Sequence, residues 1–371
     1  MNGNKIRLSK SSISSLEKEA VLKVMEKEYL GMGEEVKLFE EKIKGYLQTD
    51  LDVVCVNTGT SALHLSLSAL GLKDGDEVLV PSLTYVASFQ AISAVGAIPI
   101  ACEVNPKTLF IDMQDAKKRI SKNTKAIMPI HYASSSKGMK EVYDLAKKFD
   151  LRVVEDAAQA FGSKRDGELI GSGGDIICFS FDGIKNITSG EGGAILSSDQ
   201  EFIRKVQDSR LLGVEKDTEK RYLKERSWDF DVKEQGFRCH MSNIMAAIGI
   251  VQLDRLKKFK NKRQNIAQKY IEELKNVKQL EILDFDYDDV LPHIFVVKVQ
   301  QRDELREYLI ANNIECGIHY KPNHLLIKYN LGYNLPITEK IYEQILTLPC
   351  HYDLTEDEQD YVIENIRGFY A

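Results

Sequence analysis

The chain has 371 residues, 43% of them hydrophobic, and its 50 lysines and arginines against 56 aspartates and glutamates give a formal net charge of −6. That much apolar sequence supports a large core plus a second, smaller unit and excludes a disordered chain, while the acid excess argues against a general nucleic-acid binder. No run approaches the roughly 18 uninterrupted apolar residues of a membrane helix, and the N-terminal stretch lacks the apolar segment and cleavage site of a secretory signal, so a soluble, cytoplasmic protein is expected.

Short β-rich runs at 52–56, 77–80, 98–104, 125–132, 151–157, 175–181 and 192–198 alternate with helical patterns such as 61–72 and 136–149. Continuous apolar strands separated by helices predict an α/β unit whose mostly parallel seven-stranded sheet is covered on both faces. After residue 200 the texture changes, and 243–274 keeps helical periodicity long enough to link two units. A smaller α+β unit should follow, with a strand at 294–299, a helix at 303–313, a strand near 315–320, and helices over 337–347 and 355–367. The chain thus divides into a large domain, 1–245, and a linking helix with a small C-terminal domain, 246–371. The 6 cysteines are scattered without a CxxC pair and the 7 histidines form no zinc-spaced cluster, so buried free thiols and no protein-bound metal are expected.

Dinucleotide and P-loop fingerprints are absent: GSGGDI (171–176) lacks the third glycine of GxGxxG, and no GxxxxGK[ST] occurs. Three other segments carry chemistry. NTGTSA (57–62) follows the first strand and opens a helix, where Gly59 allows close approach and the amides and hydroxyls of Thr60 and Ser61 can hold a phosphate. Taken alone, the segment is better explained as an ordinary Ser/Thr helix cap. VVEDAAQ (153–159) puts Asp156 at the end of a buried strand with Gln159 three residues on, suited to a protonated ring nitrogen or, equally, to capping a loop. FSFDGIKNITSGEGG (179–193) places Lys185 in a glycine-rich turn between buried strands, where desolvation lowers a lysine's pKa as a Schiff-base nucleophile requires.

These segments, with VPSLTYVAS (80–88), KAIMPIHYAS (125–134), GFRCHMSNIMAAIGIVQL (236–253), GIHYKPNH (317–324) and LPCHYDLTEDE (348–358), resemble the DegT/DnrJ/EryC1/StrS family of sugar aminotransferases in order, spacing and residue type. The resemblance spans nearly the whole chain. It implies a fold-type-I transferase dependent on pyridoxal 5′-phosphate (PLP), with Lys185 as the Schiff-base lysine and Asp156 holding the pyridine nitrogen protonated. It further implies Tyr85 stacked on the ring, Gln159 by the ring hydroxyl, and Gly59, Thr60, Ser61 and Ser180 around the phosphate. His319 and Tyr320 would line the substrate pocket.

Many relatives read GxNxRM where this chain has GFRCHM, so Arg238 and His240 stand at the asparagine and arginine positions. The family's segment reaches the neighbouring subunit's phosphate, which implies a homodimer with shared sites and gives Arg238 a charged, bidentate role. His240 reads as structural, while His131, Tyr132 and His324 are candidates on the substrate side. The implied reaction moves the amino group of L-glutamate to a nucleotide-linked ketosugar. SFDGIKNITSGEGG (180–193) is closer to the family's 4-ketosugar pattern than to its 3-ketosugar one, which favours C4 of a dTDP- or UDP-linked 4-keto-6-deoxyhexose destined for a surface polysaccharide. Alternatives are a 3-ketosugar or cyclitol aminotransferase, a dehydratase of the same family, which typically replaces the lysine by histidine, and a non-catalytic sensor.

Overall fold

The computed structural model describes residues 5–225 and 228–371. Its strands are β1 (Asp52–Val56), β2 (Glu77–Pro81), β3 (Ile98–Cys102), β4 (Thr124–Ile127), β5 (Arg152–Asp156), a short hairpin of β6 (Lys164–Arg165) and β7 (Glu168–Leu169), β8 (Ile176–Ser180), β9 (Gly193–Ser197), β10 (Leu280–Ile282), β11 (Phe295–Val299) and β12 (Ile345–Leu348). Seven of them form one sheet in the order β1-β9-β8-β5-β4-β2-β3. The ladder is parallel from β8 to β3, and β9 is antiparallel to both β1 and β8, so β9 alone runs against the other six. This reversal positions the site. A parallel neighbour needs a long crossover, whereas an antiparallel one can be reached through a local turn, so β8 passes into β9 through the loop 181–192 that carries Lys185.

Both faces of the sheet are covered. Val54, Val78, Val154 and Ile195 pack under the helices Gly59–Ala69 and Val86–Ala94 on one side, and Cys55, Ile177, Phe179 and Leu196 meet Phe39, Phe161 and Leu253 on the other. All six cysteines are free and five are buried. The helix Asn243–Leu274 has the predicted bounds and reaches two cores. Its Ala246, Leu253, Leu256 and Phe259 join the core containing Phe39, while Ile266, Ala267, Tyr270 and Leu274 pack with β11, β12 and the helix Glu356–Tyr370. Ile6 belongs to that second core and bridges to Ile314.

The other elements fall at or near their predicted places, with three differences. The strand expected over 125–132 ends at Ile127 because Pro129 has no amide to donate, although Ile130 bridges to Asp156 and keeps the chain alongside β5. The helix expected over 337–347 stops at Tyr342. Beyond it the wholly buried residues 345–348 form β12, antiparallel to β11, where the branched side chains of Ile345 and Thr347 suit a strand. The strand expected near 315–320 is reduced to single bridges, Ile6 to Ile314 and Gly317 to Thr347, beyond which the chain turns into the site.

Candidate active site

β1, β2, β5 and β8 point their carboxyl ends at one cavity of about 540 Å³, the place and size expected of a ligand site in an open α/β sheet. Its lining includes Gly59, Thr60, Tyr85, Asp156, Gln159, Ser180, Lys185, His319 and Tyr320, while Ser61, Arg238, His131, Tyr132 and His324 lie outside it.

The turn after β1 is built by Thr58. Its hydroxyl accepts from the Ser61 amide at 2.9 Å and donates to the Ser61 hydroxyl at 2.9 Å, capping the helix Gly59–Ala69. Ser61 is thereby engaged in the cap and lies outside the cavity lining, while Thr60 is exposed to it. Gly59 is required for a steric reason. A Cβ there would fall 2.6 Å from the Cβ of Ser180, so the turn could not close onto β8. The Ser61 amide is taken by this cap, and the amides of Gly59 and Thr60, with the helix dipole, are left to hold an anion beside Ser180.

Asp156 ends β5 with its carboxylate buried. One oxygen accepts from the Ser88 hydroxyl at 2.8 Å and the other from the Ala158 amide at 3.2 Å. Among the described residues no cation bonds to it. Burial pushes its pKa up, against the opposing pull of these bonds and of Lys185. Gln159 is fixed at both ends of its amide: Oε1 accepts from the Ala133 amide at 2.7 Å and Nε2 donates to the Tyr320 hydroxyl at 3.0 Å. Tyr85 is 58% exposed at the cavity edge, its ring 5.5 Å from that of Tyr320.

Lys185 projects from a stiff loop. Asn186 donates to the carbonyls of Gln159 (3.1 Å) and Phe161 (3.0 Å), the Ser189 amide to Phe181 (2.9 Å), and the Lys185 amide to Asp182 (3.1 Å). Burial lowers the pKa of the lysine amine, and Asp156 and Asp182 pull it the other way. Across the cavity, His319 shares a 2.8 Å hydrogen bond with Thr347 Oγ1, and its carbonyl accepts from the Tyr132 hydroxyl. Burial lowers the pKa of His319 to about 4, so it is neutral at pH 7.

Arg238 is exposed and outside this chain's own cavity. Its segment runs along the edge of β1, with the Cys239 carbonyl accepting from the Asn57 amide at 2.7 Å and His240 bridged to Val56. Burial and nearby arginines lower the pKa of His240 to about 4. His131 is buried against Glu155 at 2.7 Å, and His324 lies between Ser82 (2.7 Å) and Glu339 (3.1 Å), so neither reaches the cavity. Thr58, Ser88 and His293 are site residues the sequence reading missed. Ser88 lay within a quoted segment, Thr58 adjoined the capping pair, and His293 had no local signal.

These features fit PLP. A buried carboxylate without a cation suits a protonated ring nitrogen, a helix N-terminus closed by Gly59 on Ser180 suits a phosphate, and an amine of lowered pKa suits the aldehyde. Fold and site together define a PLP-dependent aminotransferase of fold type I. Residues 11–367 match the DegT/DnrJ/EryC1/StrS aminotransferase family, and the chain belongs to it. It is similar to GDP-perosamine synthase of Escherichia coli O157:H7 (34% identity, 97% of each chain) and to dTDP-4-dehydro-2,3,6-trideoxy-D-glucose 4-aminotransferase of Saccharopolyspora spinosa (31% identity, 95% of this chain and 94% of the relative). Among solved structures it resembles the PLP-form of the putative sugar aminotransferase Spr1654 from Streptococcus pneumoniae (29% identity, 98% of each chain, TM-score 0.90).

Proposed function

We propose that the protein transfers the amino group of L-glutamate to C4 of a nucleotide-linked 4-keto-6-deoxyhexose, making an amino-deoxysugar for a surface polysaccharide. The observation that carries the transaminase assignment is the placement of Lys185 and Asp156 in one cavity, each with its pKa shifted by burial. The acceptor reading draws support from the SFDGIKNITSGEGG pattern (180–193) and from similarity to the 4-aminotransferase of S. spinosa. The nucleotide is dTDP or UDP on the sequence reading, and the likeness to a GDP-perosamine synthase adds GDP to those worth testing.

Bound PLP supplies an electron sink joined to the carbon that carries the transferred amine. Asp156 would accept from the ring N–H and hold that nitrogen protonated. Gln159, locked by Ala133 and Tyr320, would lie by the ring hydroxyl. Tyr85 would stack on the ring, and Gly59, Thr60 and Ser180 would hold the phosphate with help from the cap that Ser61 completes. Lys185, whose amine faces the cavity with its pKa lowered by burial, would hold the cofactor at its aldehyde and, as an amine free of it, would serve as the base and acid that carries the proton at the donor α-carbon and at the sugar carbon. In this scheme residues 1–245 supply the cofactor groups, while 246–371 supply His319 and Tyr320 on the substrate side. Arg238 completes the phosphate site of a second subunit in a homodimer.

The test is turnover with ¹⁵N-labelled L-glutamate and dTDP-, UDP- and GDP-linked 4-keto-6-deoxysugars. The proposal expects ¹⁵N bonded to C4 of one product by NMR. Label at C3, or label accepted from every amino donor except glutamate, would contradict it.

A further inference from the structure

Among the described residues, the amine of Lys185 has a single neighbour within hydrogen-bonding range, and it is neither carboxylate nearby. His293 Nε2 lies 3.4 Å from Lys185 Nζ, and the ring is buried with its Nδ1 unpartnered. The backbone around it is clamped. The Leu291 amide donates to Ser163 Oγ at 2.8 Å and the His293 amide to Ser134 Oγ at 3.1 Å, while Arg263 Nη1 donates to the carbonyls of Pro292 (3.1 Å) and His293 (3.0 Å). Arg263 is itself buried on the helix Asn243–Leu274, with no carboxylate in ion-pair range among the described residues. Asn186, the residue next to Lys185, donates to the Leu291 carbonyl at 3.3 Å, so the lysine turn and the histidine segment are tied to each other.

A buried imidazole beside a lysine and an uncompensated arginine stays neutral, and a neutral ring nitrogen can accept from an ammonium without adding charge. We propose that His293 is a positioning residue that receives the Lys185 amine whenever it is free of the cofactor and returns it to the same place for each proton transfer. This deepens the reading of Lys185 given above and rests on it. The other charged or titratable groups facing the pair are Asp156, Asp182, Glu191, Arg263, His319 and Tyr320.

The test compares His293→Leu, which keeps bulk without a polar atom, with His293→Gln, whose amide reaches nearly as far as Nε2. In the cofactor-free full-length protein, competitive acetylation across pH, read by mass spectrometry on the Lys185 peptide, gives the amine's titration midpoint. Leucine removes the acceptor that favours the ammonium, so the midpoint should fall by about half a unit or more, while glutamine restores it. In the loaded enzyme, His293→Leu should lower kcat by roughly 10- to 100-fold with little change in KM and enlarge the isotope effect of α-deuterated donor. If leucine prevents folding, His293→Asn, whose amide stops short of Nζ, takes its place with the same expectations. A leucine or asparagine variant with the wild-type midpoint and isotope effect would overturn the role. The midpoint needs no donor, acceptor or cofactor, so it is independent of whether the proposed ketosugar is the substrate.

Discussion

At the scale of single residues, burial moves the ionisable groups of the site away from their ordinary pKa values, raising that of Asp156 and lowering those of Lys185 and His319. Burial raises the Asp156 pKa above its unfolded-state value, so the native protein holds that proton more tightly than the unfolded chain does. Its contribution to the stability of the cofactor-free protein is therefore greatest below about pH 3.9, the pKa of an unfolded aspartate, and is lost as pH rises through the raised native value. Asp156→Asn removes the titration. We predict that it raises the melting temperature of the cofactor-free protein at neutral pH, by a margin that closes as the solution is acidified. Turnover should fall by roughly 10²-fold, the scale of losing one partner of a buried charge pair. Melting curves from pH 3 to 8 with and without PLP check both halves. The sequence pointed to Asp156 as a carboxylate ending a buried strand and to Lys185 as a lysine in a glycine-rich turn between two buried strands, and the fold brings both to one cavity. His293 was not legible, since its relation to Lys185 spans 108 positions and arises only when the segment before β11 folds back on the lysine loop.

At the scale of elements, function depends on how closely the capped helix Gly59–Ala69 approaches the end of β8. Gly59→Ala inserts a methyl 2.6 Å from the Ser180 Cβ, and overpacking of this kind costs about 1–3 kcal/mol. Because the contact closes the anion cradle and not a core, the loss should appear as PLP affinity weaker by roughly 5- to 150-fold. Cofactor titration monitored by absorbance, beside a melting curve of the cofactor-free protein, separates this outcome from general destabilisation. Most elements could be read from periodicity, including both ends of the helix Asn243–Leu274. Periodicity failed at 345–348, where four consecutive buried residues look alike as helix or strand until β11 is present to pair with them. It also gave no hint that β9 runs against its neighbours, because apolar runs carry no direction.

At the scale of the whole molecule, the cofactor side of the cavity comes from the large sheet and the opposite side from the 317–324 segment and the residues before β11. Arg238 is exposed on the edge segment beside β1, where the second subunit of the proposed homodimer would bring its phosphate site. Arg238→Ala should then weaken PLP retention by roughly 10- to 150-fold, the range of a lost charge-assisted hydrogen bond. Mixing Arg238→Ala subunits with Lys185→Ala subunits should restore up to roughly a quarter of wild-type activity, since each mixed dimer rebuilds one intact site. No restoration would place Arg238 outside the partner's site. The measurement that bears most directly on the account is the visible spectrum of the PLP-loaded protein, followed through L-glutamate and then a panel of nucleotide-linked 4-ketosugars. The PLP-loaded protein should show a band that is absent from Lys185→Ala in the resting state, is bleached by glutamate, and returns with one class of 4-ketosugar. A band that forms without Lys185, or one that glutamate leaves unchanged, would contradict the proposed function.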